Sequence, residues 1–414
     1  MNLYSFLGSL SFLLFVANAN ANNCGEVYGA YQYTAFANAC NCTNDGKIDE
    51  CDDLSNLTPT NIEGIEIAFN NLAIFNGSFL ANSSVTILDL YGSQLKTENI
   101  TNFPSSVRVL NLKSNGLTNF DGSFLANYNV TFLDLSSNNL KTENITNFPS
   151  SVRELTLNSN GLTNFDGSFL ANSSVTTLNL LGNPLVSQDI TKFPSSVREL
   201  NLGINESEIF DMSVFGNSIT HLQLEMFFNP TSQNMINFPS SVRALGLLIY
   251  YPEIFDMSVF GNSITHLQLI LSHNPKSENI INFPLSVREL GLWVYEFNSL
   301  NASFLANSNV QNLYLSGNET DILLQNITNK PSHINIKFGQ LPEPEITTPT
   351  PTPTPTTPTT QTPTPTSSEK LSTALIIVIA ISSFIFVAGG LYALYLKCNG
   401  NSGNYHFLNV NGNA

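Results

Sequence analysis

Residues 96–108 read KTENITNFPSSVR, and residues 141–153 read the same thirteen letters. SNGLTNFDGSFLAN stands at 114–127 and again at 159–172, and EIFDMSVFGNSITHLQL at 208–224 and again at 253–269. The period is about 45 residues, built from two alternating half-units of 22–23. Each half-unit carries L-x-x-L-x-L-x-x-N, with Val or Ile often in first place, as in Val107, Leu110, Leu112 and Asn115 or Val152, Leu155, Leu157 and Asn160. Twelve such units start at 62, 85, 107, 130, 152, 175, 197, 219, 242, 264, 287 and 310, and the stretch around Ile334 reads as a degraded end repeat. One unit cannot bury its own apolar edge, whereas stacked units share one continuous core.

This pattern, in fixed register over about two thirds of the chain, resembles the leucine-rich repeat family. The resemblance implies an α/β-type solenoid dominated by a parallel β-sheet, the leucine-rich repeat horseshoe, over residues 62–341. Strand alternation places the fourth and sixth positions inward and the third, fifth and seventh outward. Twelve strands at ~4.8 Å spacing predict a sheet roughly 50–60 Å long. The Asn in ninth place is expected to bond backbone groups where the chain leaves the strand. Two Phe series are expected to stack as internal spines: Phe103, Phe148, Phe193, Phe238 and Phe283, and Phe75, Phe120, Phe165, Phe210 and Phe255. The Pro after each Phe of the first series bars regular helix there. The outer connections are therefore read as turns and extended segments, with at most one helical turn in DGSFLAN.

The two ends set the expected compartment. Residues 3–16, LYSFLGSLSFLLFV, and the following ANANAN read as a secretory signal peptide, residues 1–21. Residues 371–396 are uncharged and lie between Lys370 and Lys397. A helix needs about 20 such residues to cross the hydrocarbon core, so this run is read as a single transmembrane helix. Residues 342–370 alternate Pro and Thr, which predicts a disordered, extended stalk. Residues 397–414 form a short inner tail. It holds Cys398, a candidate for lipidation, and Tyr405-His-Phe-Leu408, which fits an endocytic sorting pattern. The expected location is the plasma membrane, single-pass type I, with the large segment outside.

Cys24, Cys40, Cys42 and Cys51 all precede the first repeat and no cysteine falls within the repeats. In a secreted chain they read as two disulfides with three possible pairings, inside an N-terminal cap over residues 22–61. The run from Cys40 resembles the N-terminal cysteine cap of extracellular leucine-rich repeat proteins, and that resemblance implies Cys24–Cys42 and Cys40–Cys51. The same stretch has a second reading. Asn41, Thr43, Asp45, Gly46, Ile48 and Asp52 fall at EF-hand-like spacings, while a hairpin turning at Asn44-Asp45-Gly46 accounts for the same residues.

The net charge is −16, from 15 basic and 31 acidic residues. That argues against a nucleic-acid partner, which demands a basic face. There is no nucleophile motif, metal-ligand cluster or phosphate-binding loop, so the chain is read as a non-enzyme without cofactor or metal. Glycosylation sequons stand at Asn41, Asn56, Asn76, Asn82, Asn99, Asn129, Asn144, Asn172, Asn205, Asn301, Asn318 and Asn326. None lies between 206 and 300, and in the same interval the ninth-position Asn becomes Phe227, Tyr250, Ser272 and Tyr295. The outward positions there, with the ninth-position tyrosines, supply the candidate ligand-binding set: His221, Gln223, Glu225, Leu248, Tyr250, His266, Gln268, Ile270, Trp293 and Tyr295, with Ala244, Gly246 and Gly291 as pocket floors; Tyr250 and Tyr295 have an equal second reading, turned inward to replace the Asn by packing. Exposed aromatics on a rigid surface are what binding hot spots are made of. Arg108, Arg153, Arg198, Arg243 and Arg288 recur at alternate second positions beside Glu154, Glu199 and Glu289, and are read as a structural ladder.

The expected function is non-catalytic recognition of a protein, peptide or glycan ligand through the concave face, with a possible signalling co-receptor. The alternative is a structural or adhesive cell-surface glycoprotein.

Overall fold

The computed structural model describes residues 26–29, 40–42, 48–51, 64–68, 74–80, 83–204, 209–226, 235–249, 255–271, 280–294, 300–315, 327–339 and 341–342. All of them belong to one compact unit, Met1–Ile346. The expected signal peptide (1–21), Cys24, all but the first residue of the expected stalk (342–370), the apolar run 371–396 and residues 397–414 lie outside the described residues. Among the described residues no helix is long and apolar enough to cross a membrane.

A single sheet of 14 strands dominates the unit. In chain order they are β1 (Glu26–Gly29), β2 (Gly64–Ala68), β3 (Ile87–Asp89), β4 (Val109–Asn111), β5 (Phe132–Asp134), β6 (Glu154–Thr156) and β7 (Thr177–Leu180), then β8 (Glu199–Ile204), β9 (His221–Met226), β10 (Ala244–Ile249), β11 (His266–Leu271), β12 (Glu289–Val294), β13 (Asn312–Leu315) and β14 (Asn335–Phe338). Each strand from β2 to β14 lies beside the next and parallel to it, so the repeats stack as a parallel β-solenoid. The expected twelve strands are present, and the stretch after Ile334 adds a thirteenth, β14. β1 was not foreseen: it runs antiparallel along the β2 edge, with Glu26 opposite Ala68 and Gly29 opposite Ile65.

The outer connections are turns and extended segments with one helical turn in DGSFLAN, as expected; the α part of the expected α/β class is corrected, since every helical segment among the described residues is a 3₁₀ turn of three or four residues. Once the strand and Phe-Pro turn are placed, a 22–23-residue unit has little length left, and 3₁₀ rises faster per residue than α. The turns Gly122–Leu125, Gly167–Leu170, Met212–Phe215 and Met257–Phe260 all begin the same way, with an Asp side chain accepting a bond from the backbone N–H two residues on. Two-residue parallel ladders such as Phe120–Asp121 with Ile145–Thr146 tie the half-units together away from the long sheet.

The fourth and sixth positions form the core as expected, with Leu110, Leu112, Leu133 and Leu135 fully buried. One Phe series is the expected inner spine: Phe75, Phe120 and Phe165 are fully buried. The other departs in part: Phe103 is buried in the core as expected, whereas Phe148, Phe193, Phe238 and Phe283 pack against it only partly covered. Their rings meet a third ring that the sequence reading missed. Phe148 lies 5.6 Å from Phe169, Phe193 4.9 Å from Phe215 and Phe238 5.4 Å from Phe260, each edge to face. The partner shifts by one place because GSFL in the earlier units becomes MSVF in the later ones.

The arginines bond turn carbonyls rather than the glutamates. Arg108 donates to Ser105 O at 2.9 Å and Val107 O at 3.0 Å, and Arg198, Arg243 and Arg288 repeat the arrangement. In the cap, Cys40–Cys42 and Ile48–Cys51 pair antiparallel with Cys40 opposite Cys51, which is the hairpin reading of that stretch. Its turn, residues 43–47, lies outside the described residues.

Candidate functional site

Two kinds of repeat share this sheet. In the first kind the strand stops early. In four of its five units a fifth-position Asx side chain accepts the backbone N–H two residues on, as Asp89 does from Tyr91 (3.0 Å), Asn111 from Lys113 (2.9 Å), Asp134 from Ser136 (2.8 Å) and Asn179 from Leu181 (3.0 Å); the fifth unit has Thr156 there. The eighth residue then takes a left-handed conformation: Gly92, Ser114, Ser137, Ser159 and Gly182 have φ of 70°, 57°, 53°, 55° and 66°. The ninth-position Asn turns inward and bonds backbone on both sides. Asn138 Oδ1 accepts from Asn115 N and Leu117 N, and its Nδ2 donates to Leu112 O, Leu135 O and Ser136 O.

In the second kind, β8 to β12, the eighth residue is Ile204, Met226, Ile249, Leu271 or Val294. Branched and bulky side chains resist positive φ. The strand therefore runs on to six residues. Four of these eighth residues, Ile204 to Leu271, are buried. Beyond β8 the fifth position is no longer Asx. The side chains that end strands elsewhere are gone, and a flat outer surface with no turn-making role remains.

Parallel register sets this surface in three rows. The third positions are His221, Ala244, His266 and Glu289, the fifth Gln223, Gly246, Gln268 and Gly291, and the seventh Glu225, Leu248, Ile270 and Trp293. Of the candidate residues, His221, Gln223, His266, Gln268, Ile270 and Trp293 are partly exposed here. Glu225 and Leu248 are corrections: at 4% and 2% exposure they are buried, and Leu248 lies apart from the contiguous core. Leu248 stands mid-row between Glu225 and Ile270, so an outward direction does not leave it open to solvent. Tyr250 and Tyr295 lie outside the described residues.

Both histidines are oriented the same way. His221 Nδ1 is 2.9 Å from Thr220 Oγ1 and His266 Nδ1 is 3.0 Å from Thr265 Oγ1. Each Thr hydroxyl donates to a carbonyl of the preceding strand, Arg198 O or Arg243 O, at 3.3 Å. In a neutral imidazole tautomer that matches this arrangement, Nδ1 donates to the hydroxyl oxygen and Nε2 is the acceptor. Burial holds the His266 imidazole below its usual range; the Glu289 carboxylate works against this and His221 adds to it. Asn312 Nδ2 in turn bonds both Glu289 oxygens, at 2.8 and 3.0 Å. Among the described residues no group of His, Cys, Asp and Glu could hold a metal ion.

Further along the third-position row, burial pushes Glu154 up to about 7, and the Glu199 carboxylate adds to the shift. The unfolded value is 4.5, so the folded state keeps its proton while the unfolded chain loses it as pH rises from 4.5 to 7. Stability from this group is present below pH 4.5 and lost by about pH 7. Glu154 keeps part of its surface in solvent, and the cost discounts to about 1–2 kcal/mol. Glu154→Gln should therefore raise the melting temperature at pH 8 and leave it unchanged at pH 4. An equal gain at both pH values would rule out this origin.

Among the sequons, Asn76, Asn129, Asn144, Asn172 and Asn301 are exposed and Asn99 half-buried. None of the six holds a third, fifth or seventh position of the long sheet. Asn41 lies in the cap hairpin; Asn56, Asn82, Asn205, Asn318 and Asn326 lie outside the described residues. No protein-family model matches the chain, and no curated protein matches it either.

Proposed function

We propose that the chain is a non-catalytic, single-pass cell-surface recognition protein of the leucine-rich repeat type. Residues 1–21 direct export and 371–396 anchor it, with the Pro/Thr stalk lifting the solenoid from the plasma membrane. The cap is closed by Cys24–Cys42 and Cys40–Cys51. Its ligand is an extracellular protein, peptide or glycan held on the outer face of β9 to β12, and a co-receptor carries any signal inward. The observation that supports this reading is the surface itself. Over these four strands the fifth-position Asx gives way to Gln and Gly and the left-handed eighth residue to Met, Ile, Leu or Val, while His, Ile and Trp stand in the flanking outer rows; the interval carries no sequon.

The test is a binding isotherm of the tagged full-length chain against the ligand captured from cell-surface extract. Binding should saturate, and Trp293→Ala should weaken it at least tenfold, as truncation of a hot-spot aromatic does. Weak binding to many matrix components, indifferent to Trp293, favours an adhesive or structural coat glycoprotein instead.

A further inference from the structure

The fifth-position row alternates long and absent side chains: Gln223, Gly246, Gln268, Gly291, then Tyr314. Each glycine leaves a gap one side chain deep between its neighbours. The two gaps are copies, because HLQL at 221–224 recurs at 266–269 and LGL at 245–247 recurs at 290–292.

The gap at Gly291 is already filled. Gly339 ends β14 with φ of 119°, a conformation that glycine allows, and the chain turns back over the sheet. Leu341 then covers Gly291: its Cβ and Cδ2 lie 3.2 and 3.7 Å from where a Gly291 Cβ would stand. Gly291 is buried. At Gly246 the three nearest atoms of the described residues all belong to Gln223, at 3.6–3.9 Å, and the glycine is partly exposed.

We propose that the Gly246 gap is an open seat for an aliphatic side chain on an extended peptide, and that Leu341 at Gly291 is the occupied copy of the same seat. This rests on the reading of the outer face as a recognition surface and names its ligand class. The protein itself shows the fit: a leucine, carried on a chain leaving a strand, in a notch with glycine as floor. The side-chain amides of Gln223 and Gln268 flank the open notch and have no hydrogen-bond partner among the described residues. Each offers donors and an acceptor, which suits the N–H and C=O groups on either side of a seated side chain. The His221 and His266 rings stand in the neighbouring third-position row of the same two strands.

The probe is the hexapeptide GQLPEP, the sequence of residues 339–344, titrated into the purified full-length chain up to mM concentration, because Leu341 has a tether that a free peptide lacks. Wild type should bind one equivalent, and a peptide with Ala in place of Leu at least tenfold more weakly. Gly246→Val should abolish binding; an added Cβ has ordinary contact there, its nearest neighbour 3.6 Å away, and a melting curve checks that the fold also accepts the two methyl groups. Leu341→Ala should bind two equivalents. Failure of the wild type to bind, binding by Gly246→Val as by wild type, or a single equivalent in Leu341→Ala overturns the seat. A glycan ligand would give the first of these. Ligand capture on the same variants separates this failure from a wider one. If Trp293→Ala loses the captured ligand while Gly246→Val keeps it, the recognition surface stands without the seat. If neither loses it, both fall.

Discussion

Asn138→Ala is expected to destabilise the solenoid by about 3–5 kcal/mol. Asn138 is 4% exposed and makes five hydrogen bonds to backbone: it accepts from Asn115 N and Leu117 N at 2.9 and 3.0 Å, and donates to Leu112 O, Leu135 O and Ser136 O at 3.1, 2.9 and 3.2 Å. The two N–H groups belong to the preceding repeat. Without Oδ1 they are buried with no partner, at about 1–3 kcal/mol each. The carbonyls suffer less, since Leu112 O also accepts from Asn115 Nδ2 at 3.0 Å. Denaturant unfolding measures the loss, and faster amide exchange at Asn115 and Leu117 locates it. Asn139→Ala, one residue on and exposed, should change stability by no more than ~0.5 kcal/mol. Equal effects at the two positions would show that the Asn ladder is not what holds adjacent repeats together.

Phe165→Ala is expected to cost about 3–5 kcal/mol, the range for emptying a buried aromatic site. The ring is fully buried, with centroids 6.0 Å from Phe169 and 6.1 Å from Phe193. Those rings come from the same turn and from the next Phe-Pro segment, so the cavity opens between two half-units. In a stack where each unit touches only its neighbours, such a break divides the array. The unfolding transition should broaden as well as shift. Phe193→Ala, at a partly covered position, should cost less than Phe165→Ala. The reverse order would mean that the outer series, rather than the inner one, is the spine.

Much of this was readable in the repeat. Leu110 and Leu112 point inward because strand alternation is a local rule, and Asn115 bonds the turn because a short amide near a strand end has few other options. The candidate face was legible only by half. The loss of Asn at 227, 250, 272 and 295 coincides with four of the five six-residue strands and misses the first, Glu199–Ile204, whose unit keeps Asn205. The more informative change is one residue earlier, where Ser or Gly gives way to Ile, Met, Leu or Val. A left-handed residue cannot be replaced by these without moving the turn, so the six-residue strands were written in the sequence although the reading passed over them.

What the sequence determined alone is the register: a 22–23-residue beat, its buried Leu and Phe positions, its turn-making Asn, and where the pattern changes. These follow from contacts within a unit or between identical neighbours, which repetition makes predictable. Only the tertiary structure decided that Glu225 and Leu248 are covered, that a third aromatic ring meets the Phe-Pro series, and that Leu341 fills the notch at Gly291. Each of these depends on side chains brought together from different units, and Leu341 reaches back across two strands from fifty residues away (341 − 291). Which side chains meet over such a span is set by how the stack assembles, and no local pattern in the chain carries that information.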